Sequence, residues 1–124
     1  MRLMMMPLAA VLAVAWPLQA ALADGDAAAG KTVFHKCAIC HSVVEGQNRI
    51  GPSLFGVVGR KAGTEAGYNY SDAMKNSGKT WDAATLDLYL THPRDVVPGT
   101  KMTFAGLPDA TDRANVIAYL STVK

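Results

Sequence analysis

Three features of this 124-residue sequence predict an all-α fold with three or four main helices and long loops. Apolar residues recur at helical spacing in several segments, each opening near a side chain able to cap a helix. No stretch alternates apolar and polar residues far enough to make a useful strand. Glycine and proline gather between the periodic segments, where they mark loops.

The first 23 residues stand apart. Met1 to Ala23 holds one charge, Arg2, then an apolar run from Leu3 to Leu18, then Ala21-Leu22-Ala23. A positive start, an apolar middle and a small-residue A-x-A end are the order of a cleaved signal peptide. An uncleaved anchor is the other reading, but Pro7, Pro17 and Gln19 interrupt the run. A membrane span wants about 20 clean apolar residues. The expected domain is therefore 24–124, with 11 basic and 10 acidic side chains.

Within it, Asp26 to Cys37 is predicted helical, capped by Asp26 and favoured by Ala27-Ala28-Ala29. Gly30 weakens that helix, so it marks a close crossing with another. Ser42 to Tyr70 carries Gly51-Pro52, Gly56, Gly59, Gly63 and Gly67. A free loop that long is unusual in a small domain, so it is expected to wrap around something. Ser71 to Ser77 is a short helix stopped at Gly78. Thr80 or Asp82 opens a longer one to about His92, ended by Pro93. Val96 to Pro108 reads as loop. The last helix runs from Asp109 or Thr111 to about Val123, with Val116, Ile117, Leu120 and Val123 on one face.

Composition narrows the function classes. Half the residues are apolar and 18% are charged, which suits a packed chain rather than a disordered one. A net charge of +2 is too small for a strongly basic nucleic-acid binder, so no nucleic-acid partner is expected. Two cysteines cannot build a disulfide framework. The length excludes a large multidomain enzyme. A domain this small has a modest core, which a large apolar cofactor would extend.

Cys37-Ala38-Ile39-Cys40-His41 is the informative segment. C-x-x-C-H is the attachment pattern of a covalent c-type haem. Two thiols three residues apart at a helix end reach the two vinyl groups on one porphyrin edge. The adjoining imidazole then swings under the ring to ligate iron. A thioredoxin-like redox pair needs a βαβ pattern, which is absent. A zinc site wants a fourth ligand beyond these three, and a plain disulfide is the blandest alternative.

A second axial ligand must come from Met74, Met102, His35 or His92. His35 is two residues from Cys37, too close along the chain to reach the opposite haem face easily. His92 sits beside Pro93, where capping the last carbonyls is its ordinary role. Met74 lies in a polar short helix and suits gap filling. Met102 ends Pro98-Gly99-Thr100-Lys101-Met102, a loop free of helical constraint, and is the favoured ligand.

These residues, taken together, resemble a class I c-type cytochrome, similar to mitochondrial cytochrome c and its bacterial periplasmic relatives. The match runs through Gly30, Phe34, Cys37 to His41, Gly51-Pro52-Ser53-Leu54 and Gly59-Arg60-Lys61. It continues through Tyr68-x-Tyr70, Thr80-Trp81, Leu86-x-x-Tyr89-Leu90, Pro98 to Met102, Phe104-Ala105-Gly106 and Ile117-Ala118-Tyr119-Leu120. The resemblance implies one haem c held by Cys37 and Cys40, with His41 and Met102 on the iron. It implies that the Pro52 carbonyl orients His41 and that Tyr70 and Trp81 bond the propionates, with Arg60 close by. Tyr89 and Thr100 belong on the Met102 side, and Gly30 against Tyr119. Met74 departs from the mitochondrial pattern, which carries an asparagine there. The segments from Phe34 to Cys37 and from His41 to Gly51 are each one residue shorter, as fits a bacterial relative.

His/Met ligation leaves the iron no vacant position and raises its potential relative to two nitrogen ligands. The expected function is therefore a periplasmic one-electron carrier and not an enzyme. The resemblance implies a cytochrome bc-type complex or a dehydrogenase as donor, and an oxidase, reaction centre or reductase as acceptor. A monomer docking transiently through Lys36, Arg94 and Lys101 is expected, with Lys31 and Lys75 nearer the rim. A haem enzyme or gas sensor with a loose Met102 is the rival from another class.

Overall fold

A computed structural model describes residues 25–124. The expected signal segment, 1–23, lies outside the described residues. Helix α1 spans Ala27–Val33 and tightens into a 3-10 turn over Phe34–Lys36. Four more follow: α2 (Asp72–Lys75), α3 (Ala83–Thr91), α4 (Pro93–Val96) and α5 (Ala110–Ser121). Among the described residues the only extended pairing is an isolated bridge between Lys61 and Thr80. The all-α expectation is met.

Aspartates start the longer helices because their carboxylates take the free N–H groups of the first turn. Asp26 accepts from Ala28 and Ala29, Asp82 from Thr85, and Asp109 from Thr111 and Asp112. Asp82 and Asp109 thus outcompete Thr80 and Thr111 as caps. Ser71 caps α2 by accepting from the Met74 N–H at 3.1 Å.

Three boundaries differ from the expectation. Helix α2 ends at Lys75 rather than Ser77. The first α-helix ends at Val33, four residues before Cys37, because the chain overwinds into i to i+3 bonds such as Cys37 N–H to Phe34 C=O. Pro93 does end α3, but it also starts a further helical turn, Pro93–Val96, where no helix was expected. Its missing N–H costs nothing at a first helical position.

Helices α1 and α5 cross tightly at Gly30. A Cβ there would run into the Asn115 carbonyl and lie 2.9 Å from Tyr119 Cβ. Phe34 then packs on Tyr119 with ring centroids 5.5 Å apart. The core joins Phe34, Trp81, Leu86, Tyr89, Val97, Leu107, Val116, Ile117 and Leu120. Val123, expected on the same face, is only half-buried. Arg113 ties α5 to α3, with Nε on Asp87 at 2.8 Å and Nη1 on the carbonyls of Leu107 and Pro108. No helix among the described residues is long and apolar enough to cross a membrane.

Candidate functional site: a cavity behind the CXXCH turn

The long loops do enclose something. A cavity of about 450 Å³ opens behind the Cys37–His41 turn, a size typical of small-molecule and cofactor sites. Its walls include Cys37, Cys40, His41, Pro52, Arg60, Tyr70, Trp81, Tyr89, Thr100 and Met102. All ten expected site residues, drawn from distant stretches of chain, therefore meet in one place. Leu54, Leu86, Leu90, Phe104, Val116 and Leu120 make much of the remaining wall apolar.

Residues 37–41 form a turn closed by bonds from Cys40 and His41 N–H to the Cys37 carbonyl. Both cysteines are free. Burial pushes the Cys37 thiol up, partly countered by the Lys36 charge. Arg49 braces the turn by donating to the Ala38 carbonyl at 3.1 Å. Among the described residues no three His, Cys, Asp or Glu converge to hold a metal ion, so the zinc alternative finds no ligand set.

His41 Nδ1 lies 2.7 Å from the Pro52 carbonyl oxygen, so that nitrogen carries the proton and donates. The Nε2 lone pair is left free to bind a metal. Burial lowers the pKa of His41, the Pro52 bond opposes this, and the Arg60 charge adds to the lowering. The imidazole is thus held neutral, as a ligand must be. Gly51 makes room for it, since a Cβ there would lie 2.7 Å from His41 Nδ1 and 2.9 Å from Nε2. Nothing in the sequence around Gly51-Pro52 signals this role.

On the Met102 loop, Thr100 Oγ1 accepts from the Met102 N–H at 3.3 Å and sits 2.8 Å from the Tyr89 hydroxyl. Lys101 reaches back to the Asn69 carbonyl at 2.7 Å and lies 5.5 Å from the Tyr68 ring centroid. Its charge is therefore tethered rather than swinging free. Met74 also lines the cavity, whereas His35 and His92 do not.

Arg60 is held by the Phe55 and Ser53 carbonyls and by Glu65, yet its buried Nε has no partner. Tyr70 Oη accepts from the Glu65 N–H at 3.2 Å. Its own hydrogen remains to be donated. Burial raises its pKa, so it stays a neutral donor. Unused donors on an otherwise apolar wall fit a large flat cofactor bearing carboxylates, and a buried donor left unmatched is costly.

The cytochrome c family model matches residues 27–124. The chain belongs to the cytochrome c family. Cytochrome c2 of Rhodoblastus acidophilus is 58% identical over 101 residues, covering 81% of this chain and 94% of that one. Cytochrome c-550 of Bradyrhizobium diazoefficiens is 52% identical over 96 residues, covering 77% and 71%. Among solved structures, cytochrome cH from Methylobacterium extorquens superposes with a TM-score of 0.75 at 50% identity, covering 79% of this chain and 99% of that one. Members of this family carry covalently attached haem c, and the Cys37 and Cys40 spacing is the one that attachment needs. The protein is accordingly a bacterial c-type cytochrome, an electron carrier and not an enzyme.

The cytochrome's expected docking residues fall in three places. Lys36 and Lys101 are exposed and line the cavity mouth beside Ile39 and Ile50, which are 71% and 74% exposed. Arg94 borders a small neighbouring cleft that shares Phe104 and Ala105 with the main cavity. Lys31 and Lys75 do not line either, and Lys75 pairs with Asp72 at 3.4 Å.

Proposed function

We propose that this cytochrome is a monomeric periplasmic one-electron shuttle. In this reading Cys37 and Cys40 would hold the haem through thioethers, and His41 Nε2 and Met102 Sδ would bind its iron. The observation that carries the reading is the convergence of all four residues on one cavity, with His41 Nδ1 already committed to Pro52.

Bound there, haem supplies reversible Fe(III)/Fe(II) chemistry. The protein does the rest. Pro52 fixes the imidazole orientation and tautomer. Thr100 anchors the Met102 backbone, with Tyr89 beside it. Arg60 Nε, the Tyr70 hydroxyl and Trp81 serve the propionates. The apolar wall keeps water away, so little solvent reorganises when charge moves. With His41 and Met102 both bound to it, the iron would have no position open to substrate, and the chemistry it would supply is one-electron exchange.

Residues 1–23 direct export and are removed. Lys36, Arg94 and Lys101, with exposed Ile39 and Ile50 among them, form the transient docking face. A bc-type complex or a dehydrogenase supplies the electron. An oxidase, reaction centre or reductase takes it.

The test is the absorption spectrum of protein matured in a haem-competent periplasm. The oxidised form should show the weak long-wavelength sulfur-to-iron band. Met102→Ala should lose it and Met74→Ala should keep it. A band that survives Met102→Ala and disappears in Met74→Ala would move the ligand to the other thioether on this wall.

A further inference from the structure

Behind the cavity wall stands a carboxylate that the motifs do not explain. Glu65 does not line the cavity, but it touches both polar side chains that serve this wall. Its Oε2 accepts from Arg60 Nη1 at 2.8 Å, and its backbone N–H donates to Tyr70 Oη at 3.2 Å. With Nη2 on the Ser53 carbonyl at 3.1 Å, both outer nitrogens of Arg60 have protein partners, and the buried Nε has none. Tyr70, having accepted from Glu65, keeps its own hydrogen for another partner. The Arg60 and Glu65 side chains are only 16% and 17% exposed, so solvent and salt screen them poorly.

We propose that Glu65 is a positioning residue that aims Arg60 and Tyr70 at the haem carboxylates and, through its charge, lowers the electron affinity of the iron. The proposal rests on reading the cavity as the haem site. An electron entering the cavity is favoured by nearby positive charge and opposed by nearby negative charge. Arg60 alone would favour the reduced form. Paired with Glu65 it keeps its directional donor while its charge is largely offset. The arrangement separates two jobs that an unpaired arginine would combine: satisfying a buried carboxylate and raising the potential.

The experiment is a spectroelectrochemical titration of matured holoprotein at fixed pH. Glu65→Gln keeps an oxygen for Arg60 and removes the charge. It should raise the equilibrium constant for reduction by at least about threefold. Glu65→Asp keeps the charge and should stay with the unmutated protein. Arg60→Gln leaves Glu65 unopposed and should move the constant the other way. A constant unchanged or lowered in Glu65→Gln, with an unaltered spectrum, overturns the proposal. If Glu65→Gln matures poorly, an upward shift in Arg60→Gln overturns it instead. Absence of the sulfur-to-iron band in the unmutated protein would count against Met102 alone, because the Glu65 comparison reads electron affinity whatever the second ligand is.

Discussion

Gly51 shows how much of a metal-binding site can depend on an atom that is missing. Its Cα faces the His41 ring so closely that one methyl group would collide with it. Gly51→Ala should push the imidazole off the Pro52 carbonyl and destabilise the matured protein by about 1–3 kcal/mol. Chemical denaturation should show an earlier midpoint together with a weakened sulfur-to-iron band, and an unchanged midpoint would contradict the account. His41 and Met102 could be picked out in the sequence as candidate ligands because residue type and spacing mark them, and both line the cavity. The roles of Gly51 and Glu65 could not be read there. The first depends on a ring brought back by the turn at 37–41, and the second on an ion pair inside an irregular loop. Neither leaves a periodic signal.

At the scale of elements, the α1–α5 crossing is the most demanding contact. Gly30→Ala should force the helices apart at Asn115 and Tyr119, at a cost of about 1–3 kcal/mol. A thermal or denaturant midpoint equal to that of the unmutated protein would contradict the crossing. Asp82, at the start of α3, gives a pH dependence of known sign. The Thr85 backbone N–H holds its carboxyl below the ordinary range. A lowered folded value adds stability that is present above the unfolded value and lost as pH falls through the folded one. The stability gap between the unmutated protein and Asp82→Ala, measured by denaturation, should therefore be widest near neutral pH and narrow in acid. The helices themselves were readable because caps and apolar spacing agree, although α2 ends at Lys75, short of the expected Gly78 stop. The overwound end of α1 was not, since the same residues suit an α-turn or a 3-10 turn. Nor was α4, because a proline that ends one helix is equally at home opening the next.

Over the whole molecule, charge is nearly balanced. The 24–124 domain carries 11 basic and 10 acidic side chains, and oxidised haem adds one net negative charge. Lys101 is tethered to Asn69, and Asp95 stands beside Arg94 at the neighbouring cleft. Steering toward a negatively charged partner should be modest, so association rates should fall with ionic strength less steeply than for a strongly basic homologue. Stopped-flow rates across a salt series check this, and rates indifferent to salt would argue against Lys36, Arg94 and Lys101 as a docking face. The sequence foretold that the Ser42–Tyr70 loop wraps around something, because so long a stretch is unusual as free loop in a small domain. It could not foretell which polar atoms of that wall would be left without partners, since that follows from how three loops meet. In the proposed reading, His41 and Met102 would close both faces of the iron. The most direct test of this reading is carbon monoxide added to the reduced, matured protein at neutral pH. An unchanged absorption spectrum is the expected result. Fast, stoichiometric formation of a carbon monoxide complex would contradict the reading and describe an iron open to ligands.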